Sequence, residues 1–241
     1  MTVRLDHIAL AVPRLADVTP FLVGVLGGSP AYGATSRFFS FGQWRFEGGG
    51  RIEVLEPRGA PDGFLHRFLA QHGSGIHHVT FRVPSLRDTC ARAEAHGYKI
   101  VGVDDSDPHW KEAFLHPKQA LGVVVQLAEM SRRTDGVTPT AWEPPPAPAN
   151  PPAQVSVLGL RLRARSPERA ALQWGQILEG TASRSETGEL VYQWERSPLR
   201  LVVEIDPAAE EGPVAIEVAS NHAVELPSGR HPVLGAVFVR R

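Results

Sequence analysis

Four side chains with metal-binding chemistry occur at matching places in two similar stretches of the sequence. His7 and His78 lie 71 residues apart, and Glu53 and Gln126 lie 73 residues apart. Imidazole nitrogens and the oxygens of a carboxylate and an amide are donors that suit a divalent metal ion. Four protein ligands would leave positions for water or for a substrate that chelates through two oxygens. The pattern therefore predicts one open metal site built from these residues.

These positions match because the first half of the chain is duplicated. Residues 6–13 (DHIALAVP) match residues 77–84 (HHVTFRVP), and residues 51–56 (RIEVLE) match residues 124–129 (VVQLAE). The order and the spacing of the segments are preserved, as expected for an internal repeat. An approximate two-fold repeat would bring the four side chains together at the centre of one curved sheet.

Each copy has the pattern of one strand, one helix and three further strands, written βαβββ. In the first copy the helix is expected at 15–26, beginning or bending at Pro20, and the later strands at 37–41, 43–46 and 51–55. In the second copy the helix is expected at 86–96 with Gly97 as its cap, and the later strands at 99–103, 111–115 and 123–127. Pairing two such units closes a curved sheet around a cavity, so the predicted fold class is α+β with paired βαβββ modules.

A proline-rich stretch follows the two copies. Residues 143–152 (EPPPAPANPP) cannot donate regular backbone hydrogen bonds and favour an extended polyproline conformation. We interpret residues 131–153 as a linker between the pair of βαβββ modules at 1–130 and a further unit at 154–241. The alternative is an ordered loop that lies as a strap across one domain.

The tail after the linker is interpreted as a degenerate third module. It predicts a strand at 156–164, a helix from Ser166 and Pro167 to about residue 178, and strands at 190–194, 199–206, 212–219 and 233–239. Gly159 stands where the first two copies have histidine, and Glu204 resembles Glu53 but stands alone. This half is therefore expected to be structural or to cover a pocket.

Composition and charge exclude several classes of function. The chain has 25 Lys plus Arg against 26 Asp plus Glu, so it has no basic excess for binding nucleic acid. The single cysteine, Cys90, excludes an intrachain disulfide and a cysteine-cluster metal site. No apolar run approaches the roughly 20 residues of a membrane span, and the N-terminus lacks a signal-peptide pattern. We expect a cytoplasmic protein that acts on a small molecule, with neither a nucleic acid nor a membrane as partner.

Several short segments together resemble the vicinal oxygen chelate superfamily of glyoxalase I, bleomycin resistance proteins, methylmalonyl-CoA epimerase and extradiol dioxygenases. The segments that carry the resemblance are 6–12, 52–57, 75–79, 114–118 and 122–127. The similarity covers about residues 3–130 and is closest to the epimerase branch. It implies one divalent ion (Mn, Co, Ni, Zn or Fe) held by His7, Glu53, His78 and Gln126. That branch usually has glutamate at the last position, so Gln126 removes one carboxylate and is expected to weaken the hold on the metal.

The proton-transfer group is less clear from the resemblance. In the epimerase a second glutamate lies on the strand that corresponds roughly to residues 37–46, where this chain has no acid. Glu112 is the best available acid for proton transfer, and the alternative is an ordinary surface residue of a strand. His77 is expected to point away from its neighbour His78, because adjacent strand residues face opposite sides.

Three functions follow from the resemblance and the site. The first is a metal-dependent lyase or isomerase of the glyoxalase and epimerase type, in which the ion holds the oxygens of a small carbonyl or acyl-thioester substrate and stabilises the enolate. The second is an Fe(II) extradiol-type dioxygenase, although that branch has its carboxylate at the position of Gln126. The third is a non-catalytic protein that binds a small molecule such as a drug in an aromatic-lined cavity. A homodimer is an open alternative, in which the third module pairs with another subunit.

Overall fold

The computed structural model describes residues 2–131 and 142–241. The strands before the proline-rich stretch are β1 (Arg4–Ala11), β2 (Ser29–Thr35), β3 (Phe39–Arg45), β4 (Arg51–Pro57), β5 (Gly75–Arg82), β6 (Ile100–Asp107), β7 (Trp110–Leu115) and β8 (Val124–Met130). The later strands are β9 (Ser156–Ala164), β10 (Thr181–Arg184), β11 (Leu190–Gln193), β12 (Arg200–Ile205), β13 (Gly212–Ala219) and β14 (Phe238–Arg240). The α-helices are α1 (Thr19–Leu22), α2 (Phe64–His72), α3 (Leu86–Ala95) and α4 (Pro167–Ala170). No helix in these described ranges has the length and hydrophobicity needed to cross a bilayer.

The first module is the predicted βαβββ unit, with strand order β2-β3-β4-β1. Strands β1 and β4 are parallel, and Ala9 lies opposite Glu53. A 3-10 turn at Leu15–Val18 leads into α1, which begins next to Pro20 as predicted, but the predicted extent of 15–26 is wrong because α1 ends at Leu22. The strands expected at 37–41 and 43–46 are wrong in detail, because residues 39–45 form one strand and the strand before it, β2, was missed. Strand β2 is at an edge of the sheet, where Pro30 is tolerated.

The second module repeats this arrangement with strand order β5-β8-β7-β6. Strands β5 and β8 are parallel, and Thr80 lies opposite Gln126, as Ala9 lies opposite Glu53. The predicted helix is confirmed as α3, which is capped at its start by the hydroxyl of Ser85. Gly97 follows the helix with a φ of +81°, a conformation that favours glycine. The α+β class with paired βαβββ modules is therefore confirmed.

The tail contains a complete third βαβββ module, with strand order β10-β11-β12-β9. The predicted start of its helix is confirmed, since Ser166 caps α4 and Pro167 lies in the first turn. The helix then continues as a π-helical segment over Ala171–Ile177. Strand β10 was missed because all its side chains are exposed, which leaves no hydrophobic alternation to recognise. The last predicted strand is shorter than expected, because residues 231–236 form a turn before β14.

Residues 142–155 run along the surface of the first module. The hydroxyl of Thr19 donates to the carbonyl of Pro146 at 2.7 Å, and the amide of Val155 donates to the carbonyl of Leu26 at 3.0 Å. The ring of Trp142 packs edge-on against Trp44, with 5.9 Å between the centroids. This part of the proline-rich stretch is thus an ordered strap, whereas residues 132–141 lie outside the described residues.

Two compact units can be recognised among the described residues. One contains residues 2–7, 78–131 and 160–214, and the other contains residues 8–77, 142–159 and 215–241. In the core of the first unit Phe81 packs against Trp174 and Trp194. In the second unit Phe21 packs against His231 and Phe238. The division of the sequence at 1–130, 131–153 and 154–241 stays a prediction.

Candidate metal and proton-transfer site

Strands β1, β3 and β4 hold the first group of polar side chains. Glu53 lies opposite Ala9 on β1 and opposite Gln43 on β3. Alternation along β1 gives His7 the same face as Ala9, because the two residues are two positions apart. The amide Nε2 of Gln43 donates to Oε2 of Glu53 at 2.8 Å, and both side chains are buried. The carboxylate of Glu53 is therefore oriented by a neighbouring strand, a contact that the sequence did not predict.

The buried imidazole of His7 is oriented by Asp6. Nδ1 of His7 lies 3.0 Å from Oδ2 of Asp6, whose other oxygen lies 3.1 Å from Arg4 and 2.9 Å from Arg82. Burial alone would raise the pKa of Asp6, but the hydrogen bond with His7 and the nearby positive charges lower it to about 2. Asp6 is therefore an acceptor at neutral pH, which assigns the proton to Nδ1 of His7. Nε2 of the same ring contacts Oγ1 of Thr80 at 2.9 Å, and a metal ion bound at this nitrogen would replace that contact.

A chain of hydrogen bonds extends from His7 across the second module. Oγ1 of the fully buried Thr80 lies 2.9 Å from Nε2 of His7 and donates to Oε1 of Gln126 at 2.6 Å. Nε2 of Gln126 donates in turn to Oε2 of Glu112 at 2.7 Å. The hydroxyl group of Thr80 thus lies between the predicted ligands His7 and Gln126. The amide of Gln126 extends the chain of hydrogen bonds to Glu112.

Glu112 is held through one of its two carboxylate oxygens. The indole Nε1 of Trp110 donates to Oε2 at 2.8 Å, and this is the oxygen that also accepts from Gln126. No side chain in the part of the chain that the structure describes donates to Oε1. A half-buried carboxylate with one anchored oxygen can use the other to accept a proton from a ligand.

Three of the four predicted ligands have their donor atoms close together. The ligand atoms of His7, Glu53 and His78 all lie within 4.8 Å of one another, and the three residues are buried. Two atoms that bind one ion at about 2.1 Å are at most about 4.2 Å apart, so side-chain adjustments of less than an ångström would suffice. Two imidazoles and one carboxylate form a donor set that fits a divalent ion of the Mn to Zn series.

The neighbouring His77 has a different environment. Its ring packs against Phe68 at 4.8 Å and Phe64 at 5.8 Å, both from α2. Burial lowers the pKa of His77 to about 4, although the charge of Glu53 opposes this shift. The imidazole is therefore neutral near pH 7, and it contributes to packing around α2.

Helix α2 forms an apolar wall beside Glu53 and was missed in the sequence. Leu65 of this helix packs with Ala9, Ala11 and Leu55, which lie on the face of β1 and β4 that carries Glu53. Phe39 and Phe41 of β3 extend the same cluster. Apolar residues at 64, 65, 68 and 69 follow a helical period, and that signal could have revealed the helix.

The third module has no equivalent group of ligands. Glu204, the counterpart of Glu53 in the sequence, accepts hydrogen bonds from Arg161 at 2.9 Å and Arg163 at 3.3 Å. Its charge is thereby balanced by two guanidinium groups. Within residues 2–131 and 142–241, no second cluster of histidine, cysteine and acidic residues is arranged for a metal ion. The expectation of a structural or covering half stays a prediction.

Known proteins resemble the first two modules. The family model described as glyoxalase/bleomycin resistance protein/dioxygenase superfamily matches residues 6–114. The uncharacterized protein YqjC of Bacillus subtilis (strain 168) is 32% identical over 129 residues, which cover 52% of this chain and 91% of that protein. Mitochondrial methylmalonyl-CoA epimerase of Mus musculus is 31% identical over 140 residues, covering 52% of this chain and 72% of the epimerase. The crystal structure of a hypothetical protein of Bacillus halodurans C-125 has a TM-score of 0.50 at 26% identity and covers 56% of this chain and all of that one.

Proposed function

Since the chain belongs to the glyoxalase/bleomycin resistance protein/dioxygenase superfamily, we propose that it is a metal-dependent isomerase of the epimerase type. Its substrate would be a small acyl thioester or related carbonyl compound with an acidic α-proton. The observation that carries the proposal is the buried group of His7, Glu53 and His78, with ligand atoms within 4.8 Å of one another. The similarity to methylmalonyl-CoA epimerase favours isomerisation over the lyase chemistry that the superfamily also contains.

The proposed ligands of the divalent ion are His7, Glu53, His78 and Gln126. A bound ion would polarise the carbonyl oxygen of the substrate and thereby acidify the α-proton. Asp6 fixes the tautomer of His7, and Gln43 orients Glu53, so two ligands are positioned by buried partners. Elemental analysis after gentle purification would identify the metal among Mn, Co, Ni, Zn and Fe. Replacing both histidines with alanine should abolish stoichiometric metal, and retained metal would contradict the assignment.

Glu112 is the proposed base that removes the α-proton. Its Oε1 would accept the proton while Trp110 and Gln126 hold Oε2. The amide of Gln126 suits this role, because a carboxylate at 2.7 Å from Oε2 would repel the charge of Glu112. The first module lacks an acid between residues 36 and 46, whereas the equivalent strand of the second module carries Glu112. The proposed base therefore lies in the second module, on the strand equivalent to the one that lacks an acid in the first.

The experiment is exchange of the α-proton in D2O. The protein loaded with Mn, Co, Ni or Zn is incubated with a panel of acyl-CoA thioesters and 2-carbonyl acids, and deuterium is measured by mass spectrometry. Exchange that depends on Glu112 supports the proposal, and chiral analysis then separates simple exchange from inversion. Oxygen consumption with a catechol would favour the dioxygenase alternative. Ligand binding without exchange across the panel would overturn the proposal in favour of a non-catalytic binding protein.

A further inference from the structure

Four aromatic rings form a row across the first module, and we call this row the aromatic wall. Tyr32 of β2, Phe41 and Phe39 of β3 and Phe64 of α2 contact one another in this order, with centroid distances of 5.6, 6.1 and 5.9 Å. We propose that the aromatic wall binds an aryl group that the substrate carries a few bonds from its reacting carbonyl. This inference rests on the proposed function and adds the kind of side group that the site accepts.

The aromatic wall lies on the same face of the sheet as Glu53. Gln43 lies opposite Glu53 on β4 and opposite Tyr32 on β2, and residues directly opposite each other in a sheet point to the same side. Phe41 and Phe39 share this face because strand residues alternate, and Phe41 lies two positions, or about 7 Å, from Gln43. The row of rings therefore begins beside the amide that orients the candidate ligand Glu53.

The opposite face of the same strands is already covered. Trp142 of the strap packs on Gly33 of β2 and Gly42 of β3, where a Cβ atom would collide with its indole ring. On the face of the aromatic wall, by contrast, Tyr32 is 48% exposed and Phe64 is 42% exposed. A contiguous exposed row of large aromatic side chains is typical of an interaction or ligand-binding site. The accessible aromatic surface is thus the one that continues from the candidate metal ligand.

The chemistry of the aromatic wall favours an aryl group. Its four rings carry one hydroxyl group and no charge, so the row suits an apolar group better than a carboxylate or a phosphate. Tyr32 meets Phe41, and Phe39 meets Phe64, edge to face at 61° and 79°. A further ring can join such a row edge-on or stacked, which an aliphatic chain of the same size cannot do. We favour a substrate group over a second copy of the chain because the row begins beside the group that would hold the reacting carbonyl.

The test compares 4-phenyl-2-oxobutanoate with 2-oxobutanoate in α-proton exchange by the metal-loaded full chain in D2O. Both compounds carry a methylene group next to the ketone, and the phenyl ring is too far from that carbon to acidify it by resonance. The ratio of their kcat/KM values should favour the aryl compound about tenfold and should fall to near one in Tyr32→Ala, mainly through KM. Tyr32→Phe should keep the preference, because it retains the ring. Phe38→Ala is the matched control, since Phe38 is 54% exposed and its ring lies against the guanidinium of Arg37.

Calorimetric binding of 4-phenylbutanoate and butanoate separates the aromatic wall from the proposed function. Tighter binding of the aryl acid that is lost in Tyr32→Ala, without exchange of any substrate, would keep the wall and overturn the isomerase. Exchange with equal kcat/KM for the two 2-oxo acids, or with a preference that Tyr32→Ala leaves intact, would keep the isomerase and overturn the wall. Light scattering tests the remaining occupant. A dimer that dissociates in Tyr32→Ala while the aryl preference persists would show a protein interface and would also overturn the proposal.

Discussion

Nδ1 of His7 donates a hydrogen bond to Oδ2 of Asp6 at 3.0 Å, and both side chains are buried. Arg4 and Arg82 flank the same carboxylate, which keeps it ionised inside the protein. A carboxylate behind a histidine fixes the ring orientation and makes the opposite nitrogen a better ligand. Asp6 would therefore orient the neighbouring His7, the predicted ligand, for metal binding.

We predict that Asp6→Asn weakens binding of Zn or Co about 10- to 100-fold, the usual effect of losing such a partner. The amide keeps the shape of the side chain but removes the negative charge that selects the Nδ1 proton. Competition titration against a chelator measures the change. Asp17→Asn is the control, because Asp17 has a half-exposed side chain on the turn before α1. Equal metal affinity in Asp6→Asn and the wild type would contradict the role of Asp6.

Glu112→Gln is expected to reduce α-proton exchange by about 10²- to 10⁴-fold, the typical contribution of a general base. The amide retains the size of the side chain but cannot accept the proton at the same position. Metal stoichiometry should stay unchanged, since Glu112 is not among the proposed ligands. Elemental analysis and deuterium incorporation are measured on the same preparation. Full exchange activity in Glu112→Gln would remove this residue from the mechanism.

Gln126→Glu is expected to move the acidic limb of the pH profile of exchange to higher pH by about one unit or more. The physical reason is the 2.7 Å contact, in which a donated hydrogen bond would become repulsion between two carboxylates. The pH dependence of deuterium exchange measures the shift. Trp110→Phe is an informative comparison, because it removes the other hydrogen bond to Oε2 without adding charge. An unchanged profile in Gln126→Glu would mean that Gln126 does not tune the base.

The duplication is what allowed the candidate ligands to be proposed from the sequence, and the close approach of His7, Glu53 and His78 was predictable from it. The matched segments carry the register with them, so Ala9 opposite Glu53 recurs as Thr80 opposite Gln126. The partners that orient the ligands were not predictable in the same way. The contact of Gln43 with Glu53 depends on the pairing of β3 with β4, and no repeated motif marks it.

Elements without a matched sequence segment in the other copy were also harder to predict. Strand β2 contains proline and glycine and is stabilised by pairing with β3, so tertiary structure overrides its low strand propensity. The strap over residues 142–155 is defined by contacts with distant residues such as Thr19 and Leu26. Proline-rich composition alone does not distinguish an ordered strap from a free linker.

The third module offers a test of stability that does not involve the candidate site. Hydrogen bonds from Thr187 and then from Arg161 and Ser185 lower the pKa of Glu189 to about 2, although partial burial opposes the shift. The folded pKa lies below the ordinary value of 4.5. Folding therefore favours the ionised form, and this contribution to stability is complete above about pH 4.5 and is lost as the pH falls towards 2.

We predict that Glu189→Gln lowers the free energy of unfolding at pH 7 by about 1 kcal/mol, less than the full pKa shift implies, because water screens a partly exposed carboxylate. Part of the loss arises because Arg161, which is largely buried, keeps Glu204 but loses Glu189 as an ion-pair partner. Urea unfolding at pH 7, 5 and 3 measures the effect, and the difference from the wild type should shrink at pH 3, where the carboxylate of the unfolded chain is protonated. Glu186→Gln on the same hairpin is the control, since Glu186 is exposed. A difference between wild type and Glu189→Gln that is as large at pH 3 as at pH 7 would show that packing, and not ionisation, is the source of the stabilisation.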